Sequence, residues 1–326
     1  TDSVYMGYNA GGVGVITGDN NVVVGTGAAL NATGMATSVY IGKQAGGNGI
    51  ITGASNICIG VDAGYAFTDN SNNIAIGHGA LDAANLGENF NTAIGTNALG
   101  AETSGSDGGT AVGHGALATQ NRDGSKNTAI GYNALTALRA TGGGNYGGIQ
   151  NTAVGYSAGG SGVFGGGSDG DGNNNTLVGF QAGLAITTGT DNVAIGSSTG
   201  QALLAGTGNI LMGSDAGSTL TVGVHNVAIG YHSLDAANTE TNKNYNIAIG
   251  SGTLGGATHT TEYCVAIGHD ALVAQTGDNV KNTVIGGLAG DAITDGDRNT
   301  LLGYMSGSDL TGGGDNVCVG WCWSRS

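Results

Sequence analysis

"NTAIGYNAL", residues 127–135, is too apolar for a loop and too short for a helix, and close copies recur along the chain: "NIAIGHGAL" from 73, "NTAIGTNAL" from 91, "NTAVGYSAG" from 151 and "NVAIGYHSL" from 226. Self-similarity of this kind decides the architecture before any local reading does. Aligned on the glycine that follows the isoleucine, eighteen copies stand at Gly7, Gly25, Gly42, Gly60, Gly77, Gly95, Gly113, Gly131, Gly155, Gly179, Gly196, Gly213, Gly230, Gly250, Gly268, Gly286, Gly303 and Gly320. The steps are 17 or 18 residues, apart from two of 24 and one of 20. The repeat fills residues 1–326 as a single solenoid, with no room for a second domain or linker.

Positions counted from the repeat glycine report a strand. Position −1 is always aliphatic or Met, and position −3 is always Val, Ile or Thr. Side chains alternate across a strand, so these two share a face. β-branched residues suit that pleated surface. Position −2 is Ala in nine copies and Val, Leu, Tyr or Cys in the others, so the opposite face is apolar too. We expect the −3 and −1 residues to fill the coil and the −2 residue to look outward. Position −4 is Asn in fourteen of eighteen copies, the exceptions being Ser3, Ser38, Gly109 and Cys264. An Asn returning once per coil predicts an amide ladder through Asn56, Asn73, Asn91, Asn127, Asn151, Asn175, Asn192, Asn209, Asn226 and Asn246. After the glycine comes Ala-Gly or Ala-Leu. In the Ala-Gly copies an apolar pair, Thr and a turn follow ("GVITGDNN", "GIITGASN", "LAITTGTDN"), which predicts a second short strand. Two strands and two turns make one coil of an all-β solenoid. Eighteen coils at roughly 4.8 Å give a rod on the order of 80 Å.

Composition agrees and excludes. With 68 Gly, no Pro, 10% charged and 39% hydrophobic residues, the chain is neither disordered nor collagen-like. A net charge of −15 with eight scattered Lys and Arg argues against nucleic acid or an anionic membrane as partner. No run approaches the roughly 18 apolar residues of a spanning helix, and no leader is visible. Cys58, Cys264, Cys318 and Cys322 form no disulfide framework or zinc pattern. Cys58 and Cys318 occupy the −2 slot and are expected to be buried free thiols.

A coil this small encloses little core, and an apolar stripe along its outer face needs a cover. The simplest cover is the same stripe on identical chains around a rotation axis, with small Ala at the centre letting three chains approach. At this point the residues carry a resemblance. The Asn-(Thr/Val/Ile)-Ala-(Ile/Val)-Gly unit resembles the left-handed β-roll heads of trimeric autotransporter adhesins. The longer 17- to 24-residue unit is similar to repeats in phage tail fibre proteins and related trimeric surface fibres. The resemblance implies a parallel homotrimer, extracellular or virion-borne, acting as a structural shaft and attachment segment that recognises a host cell-surface glycan or protein. A cell-surface adhesin or self-assembling extracellular filament is the alternative it implies. No segment matches the self-cleaving C-terminal chaperone many such fibres carry. The terminal coils carry no amphipathic cap, which is expected of a fibre segment cut from a longer protein or stacked end to end.

The adjacent 24-residue steps place extra residues in 136–150 and 159–175, expected to form a lateral bulge. Position +1 is aromatic or His in ten coils. Tyr132, Tyr156 and Phe180 flank the bulge and are candidate ligand contacts, or else a packing ladder within a trimer. Asp169 and Asp171, and Asp295 and Asp297, alternate as in calcium loops but lack the bidentate Glu, so no metal is expected. No cofactor site and no catalytic constellation is visible, and few acids occupy matching positions in neighbouring coils. An ice-binding face is set aside because Thr92, Thr110, Thr128, Thr152 and Thr176 occupy the slot expected to point inward.

Overall fold

The computed structural model describes residues 2–12, 16–84, 87–101, 107–120, 126–138, 148–160, 171–235, 243–256, 261–277 and 280–321. They belong to two compact units, residues 1–171 and 172–326. The first contains nine three-residue strands: β1 (Val4–Met6), β2 (Val22–Val24), β3 (Val39–Ile41), β4 (Ile57–Ile59), β5 (Ile74–Ile76), β6 (Thr92–Ile94), β7 (Thr110–Val112), β8 (Thr128–Ile130) and β9 (Thr152–Val154). Each pairs in parallel with the next, like residue on like residue, as in Ala111 against Ala129. The second unit repeats the plan with β10 (Thr176–Val178), β11 (Val193–Ile195), β12 (Ile210–Met212), β13 (Val227–Ile229), β14 (Ile247–Ile249), β15 (Val265–Ile267), β16 (Thr283–Ile285), β17 (Thr300–Leu302) and β18 (Val317–Val319). Among the described residues there is no helix. The chain is a parallel β-solenoid of about 18 residues per turn.

The facing of the strand is the reverse of the expectation. Every −2 residue from Val23 to Cys318 is buried, whereas the −3 and −1 residues on either side are half-buried or exposed. The interior is a thin slot between the strand and the turn that follows it. The +3 residues that share the slot are small, including Ala28, Ala45, Ala63, Ala98 and Ala134, all fully buried. Two branched side chains per strand do not fit in that slot, and one methyl does. The β-branched residues instead stack coil upon coil along the outside.

What fills the slot follows a size rule. In seven of the nine coils whose −2 residue is Ala, namely Ala75, Ala93, Ala111, Ala129, Ala228, Ala248 and Ala266, position +4 is Leu: Leu81, Leu99, Leu117, Leu135, Leu234, Leu254 and Leu272; the other two pair Ala153 with Gly159 and Ala194 with Gly200. Where −2 is large, +4 is Gly. A Cβ on Gly46 would lie 2.6 Å from the Tyr40 ring, on Gly64 2.7 Å from Cys58 Sγ, and on Gly183 2.6 Å from Leu177. In these two classes one large side chain enters the core from one side or the other, whereas the coils of Ala153 and Ala194 carry none at either position. Position +4 is in the left-handed region in both classes, with φ near 50° for the leucines, a conformation that costs leucine roughly 1–2 kcal/mol. Complete burial of these leucines offsets that cost. Ala129→Leu alone is expected to overpack the slot and destabilise by about 2–3 kcal/mol. Adding Leu135→Gly should restore most of it, measured as a non-additive double-mutant cycle in thermal unfolding. Simple additivity would refute the rule.

The second half of the coil is not a regular strand. In the first unit, consecutive N–H groups converge on one carbonyl of the next coil: Thr33 and Gly34 both donate to Ile51, and Thr52 and Gly53 both to Thr68. A ladder cannot form where adjacent donors point the same way, because a strand's donors alternate. In the second unit this side carries isolated parallel bridges, Thr207 to Val224, Val224 to Asn244 and Asn244 to Glu262.

The Asn residues tie successive coils at position −4. Each amide oxygen accepts the backbone N–H of the next coil's Asn: Asn56 from Asn73 (3.0 Å), Asn73 from Asn91 (2.9 Å) and Asn127 from Asn151 (2.8 Å) in the first unit. In the second, Asn175, Asn192, Asn209 and Asn226 accept from Asn192, Asn209, Asn226 and Asn246 at 3.0–3.1 Å. Each amide nitrogen also donates to a backbone carbonyl, as Asn209 does to Gly223 (2.7 Å). Coils without Asn substitute for it. Ser3 and Ser38 accept the next Asn N–H on their hydroxyls (3.0 and 3.1 Å). The coils of Gly109 and Cys264 carry a buried glutamine at +7. Gln120 Oε1 accepts from Asn127 Nδ2 (3.0 Å) and Gln275 Oε1 from Asn282 Nδ2 (2.9 Å), replacing the missing asparagine oxygen.

Candidate functional site

Each unit carries an outward strand face that repeats from coil to coil. Its −3 and −1 rows hold only Val, Ile, Leu, Met and Thr, with no charged side chain in any coil. Ile41, Ile57, Ile59, Ile94 and Ile130 in the first unit, and Ile210, Met212, Ile247, Ile285 and Leu302 in the second, are exposed. Thr92, Thr110, Thr128 and Thr152 are on this face in four consecutive coils, and Thr176 holds the same slot in the second unit. The ground for setting aside an ice-binding face, that these threonines point inward, therefore fails. The −1 row beside them stays aliphatic, and β1 to β5 carry Val, Ile or Met in both rows, so the face offers apolar contact area rather than rows of hydroxyls.

Two aromatic rows flank this face. At +1, Tyr132 and Tyr156 are 47% and 49% exposed, and His114, Tyr132 and Tyr156 stack coil on coil with centroids 4.9 and 5.3 Å apart and planes within 9°. Phe180, in the second unit, is also half exposed. Because the rings of His114, Tyr132 and Tyr156 stack on one another, these three coils present edges and hydroxyls to solvent, so a sugar cannot lie face-on between them. The second row was missed in the sequence. At −5, His225, Tyr245 and Tyr263 stack at 5.6 and 5.1 Å, the tyrosines within 6° of parallel. Three aromatic residues directly before the Asn slot in consecutive coils were the available signal.

Two sets of carboxylates in neighbouring coils also escaped notice. Asp82 is held above the usual carboxylate range by burial and by Asp62, and Asp291 by burial and by Asp270 and Asp309. Asp62 and Asp291 each keep a buried carboxylate oxygen without a hydrogen-bond partner. In the second unit Asp235 gathers three donors: Ser218 Oγ (2.7 Å), the Thr219 N–H (3.3 Å) and His232 Nδ1 (2.6 Å). Lys243 is buried, and burial lowers its pKa to about 8 against the opposing pull of Asp235. A lysine whose folded pKa is depressed adds stability above its unfolded value near 10.5 and loses it as pH falls through about 8. Lys243→Met should therefore stabilise at pH 7 by on the order of 2 kcal/mol. Denaturant titrations at pH 7 and 10 should show the gain shrinking as pH rises, and an equal gain at both values would contradict the assignment.

The remaining candidates divide. Most of the expected bulge, including residues 139–147 and 161–170 and so Asp169, is outside the described residues. Asp297 pairs with Arg298, which also binds Asp315. Among the described residues no group of three or more His, Cys, Asp or Glu could hold a metal. Cys58 and Cys264 are buried free thiols, burial pushing Cys264 up to about 11. Cys318 departs from the expectation, being disulfide-bonded rather than free.

No protein-family model matches the chain, and no curated protein matches it significantly. Fold and surface together define a β-solenoid repeat protein with an uncharged aliphatic face.

Proposed function

We propose that the chain is a structural shaft and attachment segment of an extracellular or virion fibre. Identical copies associate side by side through the aliphatic strand face into a parallel homotrimer. The observation that supports this reading is the recurrence of that face: two aliphatic or Thr side chains per coil, uncharged in every coil. Covering each half-exposed aliphatic side chain is worth roughly 1 kcal/mol, repeated coil after coil. The contact differs from the sequence expectation: the branched −3 and −1 residues meet the sister chains, while the alanines stay inside. The resemblance to tail fibres favours a phage fibre recognising a host surface, with the Tyr132 and Tyr156 edges and Phe180 available for contact. A cell-surface adhesin or self-assembling filament would use the same face.

Ile94→Lys combined with Ile130→Lys is expected to yield a folded monomer: an unchanged far-ultraviolet spectrum with a sedimenting mass one third of the native particle. Loss of the β signal would instead make these residues part of the coil's own stability. Incubation with host polysaccharide should show retention without cleavage. Released oligosaccharide would contradict a non-enzymatic role.

A further inference from the structure

Both aromatic rows contain the same triplet. His114, Tyr132 and Tyr156 follow one another at +1 in three consecutive coils of the first unit, and His225, Tyr245 and Tyr263 at −5 in three consecutive coils of the second. Each triplet ends in two stacked tyrosines. The ring centroids are 5.3 Å apart in Tyr132 and Tyr156 and 5.1 Å apart in Tyr245 and Tyr263, with planes 5° and 6° from parallel. The in-register parallel strands beside them fix this geometry, because they set like positions one strand spacing apart. All four rings are 47–52% exposed, so reagents reach them from solvent. Tyr8, Tyr231 and Tyr304 are more exposed, but the neighbouring coils carry no tyrosine at their position.

A tyrosine that loses one electron and its phenolic proton becomes a phenoxyl radical, with the unpaired spin on the oxygen and on the two Cε carbons beside it. Two such radicals join through those carbons when their rings are neighbours. We propose that Tyr132 with Tyr156, and Tyr245 with Tyr263, are sites of oxidative cross-linking, each pair closing into a dityrosine that staples adjacent coils of one chain. The oxidant is hydrogen peroxide acting through a separate haem peroxidase. One peroxide takes one electron and one proton from each tyrosine of a pair and leaves as two waters. A Cε–Cε bond then forms, and the hydrogen on each joined carbon moves to its phenolic oxygen, so each pair loses two hydrogens in all. Parallel rings one coil apart need only slide and tilt for two Cε atoms to meet, and exposed side chains sample such rotations within nanoseconds. The bonds join residues 24 and 18 positions apart, and a cross-link of that span stabilises by restricting the unfolded chain. They add covalent strength where backbone hydrogen bonds already tie the coils, such as Ser157 N–H to Tyr132 O (2.9 Å) and Tyr263 N–H to Asn244 O (3.2 Å). Neither staple involves a second copy of the chain.

Treating the full chain with a haem peroxidase and hydrogen peroxide tests this. Chains folded together from ordinary and nitrogen-15 stock separate links within a chain from links between copies, and peptide mass spectrometry locates each link. The expected products join Tyr132 with Tyr156 and Tyr245 with Tyr263, each lighter by two hydrogens and free of mixed isotopes. Tyr156→Phe should remove about one half of the dityrosine fluorescence, and Tyr156→Phe with Tyr263→Phe most of it. Tyr231→Phe with Tyr304→Phe should leave it unchanged. The cross-linked chain should unfold roughly 5–10 °C above the untreated one, a rise absent from the treated Tyr156→Phe, Tyr263→Phe variant. Links dominated by Tyr8, Tyr231 or Tyr304, or links of mixed isotopes, would show that exposure rather than stacking selects the residues and would overturn the proposal. No dityrosine in the chain, under conditions that couple free tyrosine, would overturn it as well. Cross-linking at the expected pairs without a rise in unfolding temperature would overturn the staple. Circular dichroism of each variant confirms the fold.

Discussion

Gly131→Ala is expected to prevent the first unit from folding at ordinary temperature. Gly131 holds φ at 137°, where an L side chain is strained, and a Cβ there would lie 2.3 Å from the carbonyl oxygen of Gly155 in the next coil. The obstructing atom is backbone, so relief requires opening the spacing between two coils that backbone hydrogen bonds hold together, such as Gly155 N–H to Ile130 O at 2.8 Å. Strain and steric conflict together place the cost at about 4 kcal/mol or more, a large share of a typical domain's stability. The same geometry recurs at Gly25, Gly42, Gly60 and Gly95, whose Cβ atoms would stand 2.3–2.5 Å from the next coil's backbone oxygen. A comparison within the same unit sharpens the test. Gly27 also has a positive φ, 65°, but its Cβ would meet only the Gln44 side chain at 3.6 Å. Gly27→Asn should be nearly neutral, since Asn9, Asn97 and Asn133 hold the corresponding position at φ of 53–55°. Similar losses from Gly131→Ala and Gly27→Asn in thermal unfolding would show that coil spacing is not what the repeat glycine protects.

Asn209→Gly is expected to cost the second unit about 3–5 kcal/mol. The Asn209 amide is fully buried. It accepts from the Asn226 N–H and side-chain amide (both 3.0 Å) and donates to Asn192 Oδ1 (2.9 Å) and the Gly223 carbonyl (2.7 Å). Deleting it leaves groups of two neighbouring coils without a partner where no water reaches. The protein carries its own remedy, since Gln120 and Gln275 stand at +7 in the two coils whose −4 residue is Gly109 or Cys264. Leu220 holds the corresponding place in the coil of Asn209. It lies close to Asn226: a Cβ on Gly223 would sit 2.5 Å from Leu220 Cδ1 and 2.9 Å from Asn226 Nδ2. Leu220→Gln alone should destabilise, by burying an amide in place of a packed leucine. Combined with Asn209→Gly it should recover part of the loss, read as a favourable coupling in the double-mutant cycle. Strict additivity would mean that the two natural glutamines are coincidental.

The repeat, its step and the Asn and Gly slots were legible because a solenoid imposes one chemical demand per coil, and eighteen repetitions make each demand visible. The facing of the strand was not legible. Alternation separates Thr128 and Ile130 from Ala129 but does not say which set is inside. That depends on the thickness of the core, which the turn across from the strand sets through residues such as Ala134 and Leu135. Tabulating −2 against +4 would have recovered it, since only residues sharing one space trade size as Tyr40 with Gly46 and Ala129 with Leu135 do. The second strand was misread because the Thr-Gly turns resemble strand ends, whereas Thr33 and Gly34 converge on one carbonyl. The orientation of Tyr132 and Tyr156 was beyond the sequence, because stacking between coils depends on the conformation at the glycine that precedes each ring.

The proposal that other copies of the chain cover the aliphatic face of the coil is tested most directly by sedimentation equilibrium of the native protein at micromolar concentration. A single species at three times the chain mass is the predicted result. A stable, soluble monomer with the same β signal would show that the face tolerates water and would contradict the claim.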